Sequence, residues 1–203
     1  MKRPRPPRGE RAKPATSGAV DEAGWHRRAT RRKSPNCDDR PPGTRISLLV
    51  VHGISLPPGH FGGDAVERLF TNRLDLGQHP YFAGLKAVRV SAHFFIRRNG
   101  ALLQFVPCAR RAWHAGASAW QGRERCNDFS IGVELEGTDT RPYTARQYER
   151  LARLVRALRS RYPIVDLAGH SDIAPGRKSD PGPSFDWPRL RSLVQFEAEV
   201  APA

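Results

Sequence analysis

At 203 residues the chain has room for one domain with a tail, or at most two small domains, and needs no disulfide staples to bury a core. Three scattered cysteines, Cys37, Cys108 and Cys126, with no C-x-x-C pair, argue against an oxidised framework and a thiolate zinc cluster, and no apolar run reaches the ~18 residues of a membrane-spanning helix. The formal net charge of +14 is concentrated at one end, where residues 1–45 hold 13 Lys or Arg against 5 Asp or Glu, so it describes a tail that can meet polyanions without specificity and no dedicated nucleic-acid reader.

Residues 1–24, rich in Pro, Arg, Gly and Ala, cannot bury enough surface to offset ordering and read as a disordered tail, with Trp25 the first residue to dock. The basic start lacks an apolar stretch after it, so no cleavable export signal is expected, and with the free cysteines this predicts a cytosolic protein. Ile46 to Val51 (ISLLVV) predicts a strand buried on both faces, ending at His52 in the crevice where open α/β sheets hold ligands. Leu56 to Gly63 is a loop, and Asp64 caps a short helix through Phe70. Val90 to Arg98 and Ala101 to Val106 flank Asn99-Gly100, which predicts a hairpin whose two turn residues take positive φ. On the first of these strands Ser91, His93 and Phe95 share a face, so His93 points to core or cleft. Pro107 to Asp128 is a long polar connection, and long connections in a small domain tend to serve function. Phe129 to Gly137 (FSIGVELEG) is a strand in which Glu134 and Glu136 share one face. A Thr144–Gln147 capping box opens a helix with Tyr148, Leu151, Leu154, Val155 and Leu158 on one side and Arg146, Arg150, Arg153 and Arg156 on a solvated one. The helix stops near Tyr162-Pro163; Ile164 to Ala168 is a last short strand, and Asp186 with Pro188 starts a closing helix.

Gly169 to Trp187 (GHSDIAPGRKSDPGPSFDW) is too rich in Gly and Pro to continue any element, and it displays His170, Lys178 and Asp180 on a loop. His52, His170 and one aspartate form the ligand complement of a catalytic zinc with one position left for water. Spacing alone leaves choices open. Asp172 competes with Asp180, and Glu136 competes with Glu134 as the carboxylate that moves a proton. His93 and His114 read as packing histidines, and His26, His60 and His79 as surface ones.

LLVVHGISLPPGHFGG, RVSAHFFIRRNG, RAWHAGASAWQGRERCNDFSIGVELEGTDT and GHSDIAPGRKSDPGPSFDW closely resemble the cytosolic N-acetylmuramoyl-L-alanine amidases of peptidoglycan recycling, over about residues 25–195. The resemblance implies a single α/β domain, residues 25–203, with a mixed central sheet flanked by helices, as in peptidoglycan recognition proteins and phage lysozyme amidases. It implies Zn2+ held by His52, His170 and Asp180, with Glu134 as catalytic acid or base and Lys178 as the cation facing the transition state. It further implies that Arg89 and Arg125 meet stem-peptide carboxylates and that Trp113 lines the cleft; His93 is carried with them as a substrate-side candidate. The implied substrates are small soluble anhydro-muropeptides, with no specific nucleic acid and no membrane partner, and the lack of a spare apolar stripe predicts a monomer. Gly53 departs from the asparagine usual in the family. Rival readings are a lytic amidase on intact wall, a muropeptide-binding module without catalysis, and a nucleic-acid binder acting through the tail.

Overall fold

The structure, a computed structural model, describes residues 18–195. In chain order the elements are β1 (Thr30–Arg31), β2 (Cys37–Asp39), β3 (Leu48–Ile54), α1 (Ala65–Phe70), β4 (Phe94–Ile96), β5 (Leu102–Gln104), β6 (Arg110–Ala112), β7 (Ala119–Trp120), β8 (Arg123–Glu124), β9 (Ser130–Glu136), α2 (Ala145–Arg159), β10 (Asp166–Gly169), α3 (His170–Ile173) and α4 (Trp187–Val194), with 3-10 turns at Pro80–Leu85 and Cys126–Asp128. Six strands form a mixed sheet in the order β1-β5-β4-β9-β3-β10. Its centre is parallel: β9 lies between β4 and β3, and β3 between β9 and β10.

The pleat sorts the central strands into two faces. Leu49 and Val51 of β3 and Ile131, Val133 and Leu135 of β9 pack with Tyr148, Leu151, Leu154, Val155 and Leu158 of α2. The capping box expected at Thr144 is formed, with Gln147 as its partner, and it fixes the start of that helix. On the opposite face Leu48 and Val50 pack with Ala115, Phe129, Ala168 and Ile173. By alternation His52, Gly132, Glu134 and Glu136 belong to this second face, away from α2. A separate cluster of Phe70, Phe82, Phe95 and Phe105 closes the β4–β5 end.

Four expectations change in detail. First, β3 does not end at His52: it pairs with β9 as far as Ile54 opposite Glu136, so His52 is an interior strand residue directly opposite Glu134. Second, the hairpin forms, but of its two turn residues only Gly100 takes positive φ. Asn99 instead accepts the Ala101 amide on its side-chain oxygen, and Arg97 N–H bonds the Ala101 carbonyl, the three-residue form of the turn. Third, the polar connection is itself built: β6 pairs with β2, and β7 with β8. Fourth, the Gly/Pro-rich segment opens with the single turn of α3, so His170 starts a helix and does not hang from a loop.

The N-terminal boundary also moves. Val20 is buried and bridges to His26, and the Gly24 carbonyl accepts from Cys108 and from the Gln104 amide side chain. Packing therefore begins before Trp25, because Asp21 turns this short segment back by accepting the Trp25 amide. The rest of the expected tail, residues 1–17, lies outside the described residues.

Arg40 ties the segment before β3 to the start of β9. Its guanidinium donates to the carbonyls of Cys108, Asn127, Asp128 and Ser130 and lies 3.1 Å from His93 Nε2. Burial pushes its pKa down to about 10, still charged at neutral pH. A lysine cannot reproduce this planar fork of donors. Arg40→Lys should therefore cost about 2–3 kcal/mol in urea-unfolding stability, since several carbonyls lose a charged partner. An unchanged midpoint would show the contacts to be dispensable.

Candidate metal centre

His52 Nδ1 and His170 Nδ1 stand 3.0 Å apart, and Asp180 Oδ2 lies 3.2 Å from each. The sheet creates this meeting. Gly169 at the end of β10 is level with Val51 of β3, so the next residue on each strand, His170 and His52, falls side by side. Asp180 returns from ten residues on, fixed by the Ser171 N–H donating to its carbonyl at 2.9 Å. One ligand atom from each of the three residues falls within 4.8 Å of the others, close enough to share one ion.

The outer nitrogens decide which way the imidazoles are protonated. His170 Nε2 lies 3.2 Å from the Ala115 carbonyl, which can only accept, so that nitrogen carries the hydrogen and Nδ1 the lone pair. His52 Nε2 contacts His114 Nδ1 at 2.9 Å, and His114 Nε2 contacts Ser130 Oγ at 3.2 Å. Donation from His52 to His114 to Ser130 satisfies both contacts, and it is the direction that leaves Nδ1 of His52 with its lone pair for a cation. Two lone pairs and a carboxylate then face one another. Burial lowers the His52 pKa to about 4, so it is neutral at physiological pH. Burial alone would raise the Asp180 carboxyl, but the hydrogen bonds and charge of His170 and His52 outweigh it and hold Asp180 below the ordinary carboxylate range. Two imidazole nitrogens and one carboxylate oxygen suit a divalent cation such as zinc.

Glu134 sits opposite His52 on β9 and is buried. Its Oε2 has no hydrogen-bond partner, and burial first, then the charge of Asp180, raises its pKa well above the usual value, with Lys178 opposing in part. Glu136 behaves differently: its oxygens accept from the Gly62 and Arg98 amides at 2.6 and 2.9 Å, which commits it to holding two loops. Asp172 is likewise committed, accepting the Gly169 amide at 2.7 Å. Both choices left open by spacing are thus separated by hydrogen bonding.

Residues 42–183 match the N-acetylmuramoyl-L-alanine amidase family. The chain belongs to that family. The amidase is 59% identical over 177 residues to the 1,6-anhydro-N-acetylmuramyl-L-alanine amidase AmpD of Citrobacter freundii, covering 86% of this chain and 94% of the relative. It superposes on a crystal structure of an AmpD selenomethionine derivative with a TM-score of 0.84, at 59% identity and covering 86% of this chain and 98% of the other. A more distant match is the Escherichia coli amidase AmiD in complex with anhydro-N-acetylmuramic acid-L-Ala-D-γ-Glu-L-Lys, with a TM-score of 0.53 and 30% identity over 86% of this chain and 65% of that one.

The remaining candidates of the amidase are spread out. Lys178 is exposed on the turn after α3, close enough to act electrostatically on both His52 and Glu134. Arg125 is exposed in left-handed backbone, paired with Asp128 at 3.3 Å, beside an open groove that Ile173, Pro175 and Arg177 also line. Trp113 is half-buried and paired through its backbone with Ser91. Arg89 is exposed, and its guanidinium donates to the Lys86 and Val88 carbonyls, with no contact to the metal cluster among the described residues. His93 is fully buried, Nδ1 accepting the Gly132 amide and Nε2 lying 3.0 Å from the Arg110 carbonyl, so it offers no surface to a substrate. The role expected of it on the substrate side passes to the core: the segment leading into β4 turns Ser91 and His93 inward, where Ser91 Oγ donates to the Asn36 carbonyl beside β2 and His93 meets the Arg110 carbonyl of β6.

His114 was the residue that sequence patterning undervalued. Its ring crosses β9 at Gly132, where a Cβ would lie 2.4 Å from its Cγ. A glycine inside the otherwise apolar FSIGVELEG strand is the signal of that close approach.

Neutral buried histidines make stability pH-dependent. Burial pushes His93 down to about 3 and His52 to about 4, and His114 also well below 6.5. Below pH ~6.5 the unfolded chain takes up protons that the native state refuses, so stability falls as pH falls; Glu134, whose pKa is raised, acts in the opposite sense. The metal-free protein should therefore lose stability between pH 7 and 5 with a net uptake of about two protons on unfolding, each worth about 1.4 kcal/mol per pH unit. A urea midpoint flat across that interval would contradict the neutral assignment.

Proposed function

We propose that the chain is a zinc-dependent amidase that hydrolyses the bond between the lactyl group of 1,6-anhydro-N-acetylmuramic acid and L-alanine of the stem peptide, in cytosolic peptidoglycan recycling. The observation that carries this reading is the convergence of His52 Nδ1, His170 Nδ1 and Asp180 Oδ2 beside a buried carboxyl with a free oxygen. The high identity to AmpD over most of both chains supports the substrate, and the AmiD complex supports an anhydro-muropeptide as a ligand that this family of sites accommodates.

His52, His170 and Asp180 would hold the zinc. Bound there, it supplies a Lewis acid for the scissile carbonyl and lowers the pKa of water towards ~7. Glu134 takes the proton from the water that adds to the lactyl carbonyl carbon. Its raised pKa keeps that proton available for the alanine nitrogen as the C–N bond breaks. The products are the free anhydro sugar acid and a peptide with a new amine. Lys178, exposed at the rim, supplies a positive charge to the oxyanion that forms on the carbonyl oxygen. Arg125, beside the groove next to α3, and Trp113 serve the peptide and sugar ends of the substrate, and we assign Arg89 to the same task at longer range. We take the amidase domain to begin by Val20, with the residues before it an accessory basic tail, and the protein to act as a monomer on small soluble muropeptides, without nucleic acid or membrane. Among the described residues no helix is long and apolar enough to cross a membrane.

Incubation with anhydro-muropeptides and mass spectrometry of the products tests the reading. Metal-replete protein should release free stem peptide, chelation should abolish the release, and zinc should restore it. Intact sacculi should be cut far less well; the reverse preference would make the protein a wall-lytic amidase. Glu134→Gln and Lys178→Ala should each lower turnover by at least ~10² with zinc content unchanged. Near-normal turnover in either variant would remove that residue from the chemistry.

A further inference from the structure

Tyr143, in the connection between β9 and α2, is buried against Phe185 with ring centroids 5.5 Å apart. It occupies a slot that two glycines leave open. A Cβ on Gly53 would lie 2.3 Å from its hydroxyl oxygen, and a Cβ on Gly137 would lie 2.3 Å from its Cε1. Gly53 follows His52 in β3, and Gly137 follows β9 on the neighbouring strand. At the end of the slot the hydroxyl donates to the Pro181 carbonyl at 2.9 Å. Pro181 rests in turn on a third glycine, since a Cβ on Gly169 of β10 would lie 2.9 Å from Pro181 Cδ. The ends of three adjacent strands, β9, β3 and β10, therefore form a seat free of side chains, filled by Tyr143 and Pro181.

We propose that Tyr143 is a positioning residue for Asp180: its hydroxyl, admitted by Gly53 and Gly137, fixes the Pro181 carbonyl and so sets the Asp180 carboxylate between the two imidazoles. The inference rests on the reading of Asp180 as a metal ligand. Two anchors then flank that ligand, the Ser171 amide on the Asp180 carbonyl and the Tyr143 hydroxyl on the next one. The Gly53 amide, 3.4 Å from Asp180 Oδ2, adds a weak third contact on the same side. Gly53 thereby gains a reason in this chain. A side chain there would contend with the tyrosine hydroxyl for one space.

The geometry makes a non-additive prediction. Gly53→Ala strikes the hydroxyl, but once that oxygen is removed in Tyr143→Phe, the nearest atoms to the new methyl are Pro181 Cα at 3.5 Å and the ring Cζ at 3.6 Å, ordinary contacts. Zinc affinity, measured by chelator competition, should fall about tenfold in each single variant, as for other residues that orient a metal ligand. The double variant should bind no more weakly than Tyr143→Phe alone. The visible spectrum of the cobalt-substituted protein should shift in both single variants, and kcat should fall with KM for anhydro-muropeptide unchanged. If Tyr143 only fills the core, the melting temperature of the chelated protein falls while zinc affinity and the cobalt spectrum stay as in the wild type, and the proposal is overturned; so it is if the two substitutions add. Wild-type protein that takes up no zinc, or takes it up equally well after His170→Ala, would sink the metal reading and this one with it. Normal uptake by the wild type and by Tyr143→Phe sinks the positioning role alone.

Discussion

The parallel register of β3 between β9 and β10 is the constraint on which the site depends. Pairing His52 with Glu134 across one ladder and Val51 with Gly169 across the other places an imidazole, a carboxyl and a second imidazole on three neighbouring strand ends with no further adjustment. Side chains alternate along a strand, so a slip of one residue in either ladder would turn His52 or Glu134 into the α2 core. Register here is held by apolar residues on both faces. Leu49 and Val51 are locked against α2, and Leu48 and Val50 against Phe129 and Ile173. Rigid packing of ordinary aliphatic side chains is thus what gives the titratable groups their places.

The second face of the sheet is unusual for its polarity. His52, His93, His114, Ser130 and Glu134 are all buried there, and burial of such groups is costly unless they are paired. Most are paired in an ordered chain of contacts running from Asp180 through His52 and His114 to Ser130, with Arg40 beyond, bonding the Ser130 carbonyl and close to His93. Glu134 Oε2 is the exception at the cleft, and a carboxyl kept without a partner next to such a chain is available to a substrate proton. The network orients the imidazoles and leaves one group unspent.

Much of this could be read from the residues. The ISLLVV and FSIGVELEG runs announced buried central strands, the Thr144 capping box announced α2, and Asn99-Gly100 announced the hairpin, because each depends on local chemistry. What local chemistry could not give was anything set by pairing between distant segments. Whether Glu134 or Glu136 keeps a free oxygen depends on the Gly62 and Arg98 amides, 74 and 38 residues away in sequence. Whether Asp172 or Asp180 meets the imidazoles depends on a turn that brings the chain back over α3. Similarity to a family named one candidate of each pair, but what distinguishes the two in the structure is tertiary. His93 illustrates the converse: strand alternation placed it on the correct face, yet the β2–β6 ribbon that covers it has no periodic signature, and so core could not be told from cleft.

Glycine placement connects these levels. Gly132 lets His114 approach β9, and Gly53, Gly137 and Gly169 admit Tyr143 and Pro181 to the ends of β3, β9 and β10. Glycine inside a strand weakens it by about 0.5–1 kcal/mol relative to alanine, so the three that lie within strands, Gly53, Gly132 and Gly169, represent stability given up locally. Each lies where a side chain must approach a ladder more closely than a Cβ would allow, and each such side chain, or its neighbour, touches His52 or Asp180. The polar cluster is therefore held from beneath by a histidine and from the side by a tyrosine, both reaching through gaps in the sheet, and the sheet can present its donors at a fixed spacing because its own strands leave room for the groups that orient them.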